Sequence, residues 1–357
     1  MSNNVIKNND EIIAKKSKNL LERIPTKKNR KQVENALEFS IKMHHGQTRK
    51  SGLPFVSHCI DVANILIDWN MDHTTVVSAL LHDVVEDTEV KLSDIEEEFG
   101  SDVALLVDGV TKVENIAFRS KKHKQAENFT KLFLSLARDL RVIIIKFADR
   151  LNNMETIQYL SSKKRKEIAL ETKEIFVPLA HRLGMAKLKW KLEDLSLKCL
   201  DLRAFNGIKK KIETSSRLNE DILSNAIKPI KSELNTYKIK SNIFGRYKSI
   251  SSIHRKIEKS GKKFEEIYDL YAIRIVVDKI EECYLALGVI HSIYPPIQDR
   301  FKDFIATPKT NGYQSIHTTV LTKDNRLTEF QIRTKDMDYT AEVGVAAHWL
   351  YKGSEEI

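Results

Sequence analysis

Residues 78–88 (SALLHDVVEDT) set four ionisable side chains, His82, Asp83, Glu86 and Asp87, into an otherwise apolar run. Polar groups buried without partners cost free energy, so such a cluster needs a chemical reason. On a helix, His82 and Glu86 are four residues apart, as are Asp83 and Asp87, and Asp83 and Glu86 are three apart. All four can therefore crowd one rim. Adjacent imidazole and carboxylate suit a divalent ion such as Mn, Fe or Zn. Glu86 and Asp87 would then be left to orient or deprotonate a water. The same residues also fit a solvated helix end, and the stretch alone allows both readings.

Two other segments bear on the choice. Residues 49–58 (RKSGLPFVSH) end in His58, and residues 142–153 (VIIIKFADRLNN) contain Asp149. The order His58, His82-Asp83, Asp149 resembles that of the HD metal-dependent phosphohydrolases. With DGVTK at 108–112, ADRL at 148–151 and AHRLG at 180–184, the first half is similar to the hydrolase half of the RelA/SpoT-type (p)ppGpp synthetase/hydrolases. The resemblance implies that His58, His82, Asp83 and Asp149 hold one metal ion, Mn2+, and that Glu86 and Asp87 position water. It puts Arg49 at the guanine nucleotide and Asn153 in contact with it. Lys50, beside Arg49, would face phosphates or a purine, though both cations also fit ordinary surface charge. The family's common Arg-Leu-His-Asn appears here as RLNN at 150–153, a change that spares the metal ligands and alters their surroundings. His44 and His45 are metal candidates by type only. Cys59, beside His58, is a metal neighbour by position and a small buried residue by habit.

A second group of reactive side chains lies near the end of the chain. In 327–333, Thr328, Phe330 and Ile332 would point one way, and Glu329, Gln331 and Arg333 the other. One strand face would be core, and the other would offer a carboxylate, an amide and a guanidinium, as phosphoryl transfer needs. This segment resembles the synthetase half of the same family. The matching pieces are GRYK at 245–248, DLYAIR at 269–274, RFKD at 300–303, PKTNGYQSIH at 308–317, EFQIR at 329–333 and AAHW at 346–349. The resemblance implies transfer of pyrophosphate from ATP to the 3′-hydroxyl of GDP or GTP, with Mg2+ held by carboxylates. Asp269 would be a metal ligand and Glu329 a metal ligand or base. Arg246, Lys248, Arg274, Lys302 and Lys309 would neutralise phosphates. Asn311 and Gln314 fall in the substrate motif, Tyr313 would stack on guanine, and His317 would touch phosphate. Ser251 and His254 stand where the family usually has large rings, which predicts weaker synthesis than hydrolysis. Two rivals stay open: a hydrolase with a weakened synthetase, and a non-catalytic guanine-nucleotide sensor.

The elements that must position these residues follow from pattern. Hydrophobic residues are 41% and charged residues 30% of 357, which predicts folded domains rather than disorder. No apolar run reaches membrane-spanning length, and the N-terminus lacks an apolar signal core, so no membrane contact is expected. Three widely spaced cysteines, Cys59, Cys199 and Cys283, fit a reducing cytoplasm. The expected fold is α+β and multidomain. It comprises a polar leader at 1–30, an all-α HD-type hydrolase domain at 31–200 and a basic helical linker at 201–240. A nucleotidyltransferase-like α/β synthetase domain with a mixed sheet follows at 241–357. Helices are expected over 58–69, 74–86, 142–160 and 281–292, and strands over 271–277, 318–321 and 327–333. Ser93 and Glu96 would cap another helix, 112–128 would be a mobile loop, and Pro178 would mark a bend. Residues 161–240 hold 19 Lys and Arg against 10 Asp and Glu, so they carry nearly all of the net charge of +10. A solvated helix face accounts for that, with ribosomal RNA as the alternative partner. Long family members add C-terminal ribosome-binding and sensing domains. The chain is expected to be a catalytic fragment or a short form, with ribosome contact confined to a longer form and oligomerisation open.

Overall fold

The computed structural model describes residues 3–111, 138–261, 264 and 271–347. The expected loop at 112–128 and the metal candidate Asp269 lie outside the described residues, as do His348 and Trp349. Two units are formed, one by residues up to Ser162 together with those from Ala346 onward, and the other by Lys163–Val345.

The first unit is helical. It consists of α1 (Asn3–Glu22), α2 (Lys27–Met43), α3 (Val56–Asp68), α4 (His73–Leu81), α5 (Val84–Asp87), α6 (Leu92–Phe99), α7 (Ser101–Val110) and α8 (Arg141–Glu155). The polar leader forms helix α1. Leu20 is fully buried, and Lys16 pairs with Asp61 of α3 at 2.6 Å. At the centre is α4, whose residues from Thr75 to Leu81 are all buried, as expected of a helix that is apolar all round. It starts sharply because the Asp72 carboxylate accepts the Thr75 N–H at 2.8 Å. The expected helix over 74–86 is broken: α4 ends at Leu81, a turn holds His82 and Asp83, and α5 begins at Val84. The start of α6 is also displaced from Ser93 and Glu96. The Asp94 carboxylate accepts the Lys91 N–H at 2.9 Å, three residues back. The apolar run Val142 to Ile145 is helical, with all four residues fully buried.

The second unit begins with α9 (Ser162–Glu171), a π-helical turn (Thr172–Phe176) and α10 (Val177–Arg182), which has Pro178 in its first turn. The expected irregularity at Pro178 is thus a π turn just before it, where a proline N–H is not needed. Next come α11 (Ala186–Leu200) and α12 (Leu202–Thr236), then β1 (Asn242–Tyr247), α13 (Ile250–Ser260), β2 (Tyr271–Val277) and α14 (Ile280–Ile293). The unit closes with β3 (Lys302–Asp303), β4 (Ile316–Leu321), β5 (Leu327–Thr334) and α15 (Lys335–Val343). The sheet is mixed, in the order β1-β2-β5-β4-β3, with β2 and β5 parallel and the other pairs antiparallel. Its apolar face carries Ile273, Ile275, Phe330 and Ile332 against Ala286 and Ile290 of α14 and Leu223, Ala226 and Ile230 of α12. The basic stretch 201–240 therefore contributes an apolar stripe to the core. Gly245 permits this approach, since a Cβ there would lie 2.6 Å from the Leu223 side chain. No helix among the described residues is long and apolar enough to cross a membrane.

Candidate active sites

In the first unit three elements converge. Helix α3 supplies His58, the turn after α4 supplies His82 and Asp83, and α8 supplies Asp149, Asn152 and Asn153. His58 Nδ1 faces Asn152 Oδ1 at 2.7 Å, and His82 Nδ1 faces the Ala79 carbonyl at 2.7 Å. Both Nδ1 atoms therefore donate, and both Nε2 lone pairs are left for the centre of the cluster. His58 Nε2 lies 3.3 Å from Asp149 and 3.7 Å from Asp83, and His82 Nε2 lies 3.2 Å from Asp83. The break at His82–Asp83 has a local cause. The Ala79 carbonyl meets the His82 ring, while the Asp87 N–H bonds to the Asp83 carbonyl at 2.8 Å and starts the next helix.

The electrostatics call for a cation. Burial opposes charge on His82, yet the adjacent Asp83 and the Asp149 carboxylate hold its proton up to about 9. Burial likewise opposes charge on Asp83 and Asp149. His82 nonetheless keeps Asp83 well below the ordinary carboxylate range, and His58 and Lys146 do so for Asp149. Ligand atoms of His58, His82 and Asp149 lie within 4.8 Å of one another, as do those of Cys59, His82 and Asp83. His82 Nε2 is buried without a hydrogen bond. Imidazole nitrogens, carboxylates and an orphaned buried nitrogen together fit a divalent metal.

Around this cluster, Arg49 sits on a tight loop closed by Arg49 N–H to Leu53 carbonyl at 2.8 Å, with Gly52 in the left-handed region. Its guanidinium donates to Asn153 at 2.5 Å and Asn152 at 3.3 Å, and Asn153 donates to Asp149 at 2.5 Å. The two expected nucleotide contacts, Arg49 and Asn153, are thus linked to each other and to the cluster. Lys50 is exposed. Glu86 and Asp87 occupy α5, one turn beyond Asp83, half-buried and exposed respectively. His44 is a buried structural residue, packed on Phe55 and bonded to Gln47 at 2.8 Å. Asn152 was not among the sequence candidates. Its signal was the departure from the family's Arg-Leu-His-Asn pattern.

In the second unit the sheet register does the positioning. One row crosses Phe244, Arg274, Gln331, His317 and Lys302, and the next crosses Arg246, Ala272, Glu329 and Thr319. Glu329 accepts from Gln331 at 2.8 Å, with His317 at 3.5 Å and Lys248 at 4.0 Å. Burial raises the Glu329 carboxyl, but His317, Gln331 and Lys248 outweigh it and bring it down to about 2. Tyr313 and His317 are joined at 2.8 Å, and Lys309 lies over the Phe304 and Tyr313 rings. Asn311 anchors this loop, donating to the His181 carbonyl at 3.2 Å and accepting from Tyr313 N–H at 3.3 Å. Gln314 is half-buried and Lys302 exposed. Arg274 differs from the expected phosphate cation: it is 2% exposed and bonded to Asp338 and Glu342.

Beside this row lies a cavity of about 430 Å³, lined by Trp190, Arg246, Lys248, Arg255, Lys256 and Lys259 among others. Among the described residues, no carboxylate lines it. Helix α11 shapes it from one face. Trp190 carries the Arg246 guanidinium 3.6 Å above its ring, and Glu193 accepts from Arg255 at 2.6 Å. Asp194 accepts from Ser251 N–H at 2.8 Å and Ile250 N–H at 3.3 Å, so it caps α13 from a distant part of the chain. Trp190, Glu193 and Asp194 went unforeseen. Their spacing of three and four residues was visible, but it reads equally as an ordinary helix face.

An HD-domain model matches residues 36–186, and a model described as the region found in RelA / SpoT proteins matches residues 245–356. The chain is 44% identical over 326 residues to a guanosine-3′,5′-bis(diphosphate) 3′-pyrophosphohydrolase of Spiroplasma citri, covering 91% of this chain and 44% of that protein. It is 44% identical over 322 residues to a GTP pyrophosphokinase of Streptomyces antibioticus, covering 90% and 38%. It is also 44% identical over 309 residues to the bifunctional (p)ppGpp synthase/hydrolase SpoT of Escherichia coli, covering 87% and 44%. The chain spans less than half the length of each of these relatives. With both regions matched in this order, and with this identity across nearly all of its length, the chain belongs to the RelA/SpoT family.

Proposed function

We propose that the chain is a bifunctional alarmone enzyme. The first site removes the 3′-pyrophosphate of (p)ppGpp, and the second transfers pyrophosphate from ATP to the 3′-hydroxyl of GDP or GTP. The observation that carries this reading is the convergence of two buried, tautomer-fixed imidazoles on half-buried Asp149 and Asp83. The named activities of the relatives support it. Mn2+ suits the first site because imidazole and carboxylate ligands are combined there. When bound, it would polarise a phosphoryl oxygen and make water a better nucleophile. Glu86 and Asp87 orient that water and accept its proton. Arg49 and Lys50 meet the nucleotide, and Asn153 ties Arg49 to Asp149.

At the second site Asp269 and Glu329 would hold Mg2+, which would offset triphosphate charge. A carboxyl brought down to about 2 is a weak general base, which favours Glu329 as a metal ligand and orienting group over proton abstraction. Arg246, Lys248, Lys302 and Lys309 neutralise phosphates, while Tyr313 stacks on guanine, His317 touches phosphate, and Asn311 and Gln314 shape the substrate loop. Arg274 works indirectly by fixing Asp338 and Glu342. Three free cysteines and nucleotide substrates suit the reducing cytoplasm. The test is turnover by the purified chain with Mn2+ or Mg2+, following pyrophosphate release from ppGpp and pyrophosphate transfer to GDP. Hydrolysis without transfer would leave a hydrolase with a weakened synthetase. Neither activity would leave a nucleotide sensor.

A further inference from the structure

Cys59 follows His58 on α3 and is fully buried. Its sulfur belongs to a second triad, Cys59, His82 and Asp83, whose ligand atoms lie within 4.8 Å of one another. This triad shares His82 with the His58, His82 and Asp149 set. His82 is 1% exposed, and its Nε2 has no hydrogen bond. Its Nδ1 is committed to the Ala79 carbonyl at 2.7 Å, so the ring is fixed with Nε2 toward the cluster. A tetrahedral zinc site with one sulfur and one nitrogen ligand separates those atoms by roughly 3.5 Å, so only a small closure is required.

We propose that the first site holds a thiophilic divalent ion of the Zn2+ class on Cys59, His82 and Asp83, in competition with the harder ion on His58, His82 and Asp149. The two modes exclude each other because His82 Nε2 has one lone pair. Thiolate selects Zn2+ over Mn2+ strongly, whereas the imidazole and carboxylate set does so far less. Binding replaces the S–H bond by an S–metal bond, and the thiol proton leaves to solvent. The inference rests on the first site being a metal centre, not on which phosphate ester is cleaved there. Its consequence is that Zn2+ displaces Mn2+ and suppresses hydrolysis.

The experiment uses the full chain, stripped of metal with a chelator and titrated without oxygen with Co2+ as the spectroscopic substitute for Zn2+. The expected result is thiolate-to-cobalt charge-transfer absorption in the near ultraviolet, abolished by added Zn2+. Cys59→Ala and Cys59→Ser should lose the band and lower Zn2+ affinity on the order of 10–100-fold or more. Mn2+ binding, followed by loss of the free-ion paramagnetic signal, should stay unchanged in both. Cys199→Ser and Cys283→Ala should keep the band, which ties it to Cys59. Co2+ binding without a thiolate band, or a band that survives in Cys59→Ala, overturns the proposal and leaves the metal centre standing. Failure to bind Co2+ or Mn2+ at all overturns both. Should both Cys59 variants fail to fold, the wild-type band, compared with the Cys199→Ser and Cys283→Ala spectra, still decides.

Discussion

Asp194→Ala should loosen the basic wall of the cavity in the second unit. The carboxylate accepts two backbone N–H groups at the start of α13, at 2.8 and 3.3 Å, from outside that helix. Hydrogen bonds to a charged group contribute about 1.5–3 kcal/mol each, and loss of a helix cap typically costs about 1 kcal/mol. The gain is partly offset, because burial pushes the Asp194 carboxyl up, against its ordinary range. A net loss of about 1–2 kcal/mol is therefore expected for Asp194→Ala. In a unit of this size that lowers the melting temperature by roughly 2–8 °C. The loss falls on the helix that carries Arg255, Lys256 and Lys259 into the cavity. If those cations hold the ATP phosphates, KM for ATP should rise about 5–30-fold with a smaller change in kcat. Asp194→Asn, which keeps one acceptor, should show a smaller rise. The assay is steady-state pyrophosphate transfer at saturating GDP, alongside thermal unfolding. A lowered melting temperature with KM for ATP unchanged would refute the link between this cap and nucleotide binding.

Asp83→Ala should abolish hydrolysis and spare synthesis, measured on one preparation; near-normal hydrolysis would show that the first site is misassigned. Asn152→Ala frees His58 to rotate and should weaken Mn2+ binding by about 10–100-fold, read by the free-ion paramagnetic signal. Trp190→Ala removes the half-buried surface under Arg246 and should cost about 1–2 kcal/mol, read by urea unfolding. Glu329 is held down to about 2, so its contribution is present above the ordinary value of 4.5 and lost as pH falls toward 2. The stability gap between wild type and Glu329→Gln, at most about 3 kcal/mol near neutrality, should shrink between about pH 6 and about pH 3; a constant gap would contradict the shift.

Residue types alone left the His-Asp pair open between a metal site and a solvated helix end, and it was the order His58, His82-Asp83, Asp149, with its resemblance to a known family, that made the cluster visible in advance. Strand β5 keeps its alternating faces: Phe330 and Ile332 are fully buried, while Glu329 and Gln331 face each other on the working side. Local pattern failed where geometry depends on a partner distant in the chain. The break at His82–Asp83 lies in a segment that reads as continuous helix, and it is fixed by side-chain and turn contacts that periodicity does not encode. Strand β3 is two residues long and exists because β4 offers it an edge. Asn152 reaches His58 across 94 residues, and Asp194 reaches Ser251 across 57. Ser251 shows the same limit from the other side. As a lost aromatic ring it predicts a weakened ATP helix. In the structure its N–H is taken by Asp194 and its hydroxyl lies 3.2 Å from that of Ser249. The helix is therefore held at this position by Asp194 through the Ser251 and Ile250 N–H groups and the Ser251 side chain, a contact that a large ring at residue 251 would not make in the same way. For the proposed synthesis, the expected outcome is that Asp194→Ala and Trp190→Ala raise KM for ATP more than Ser251→Tyr lowers it, and the reverse order would restore the missing ring as the cause.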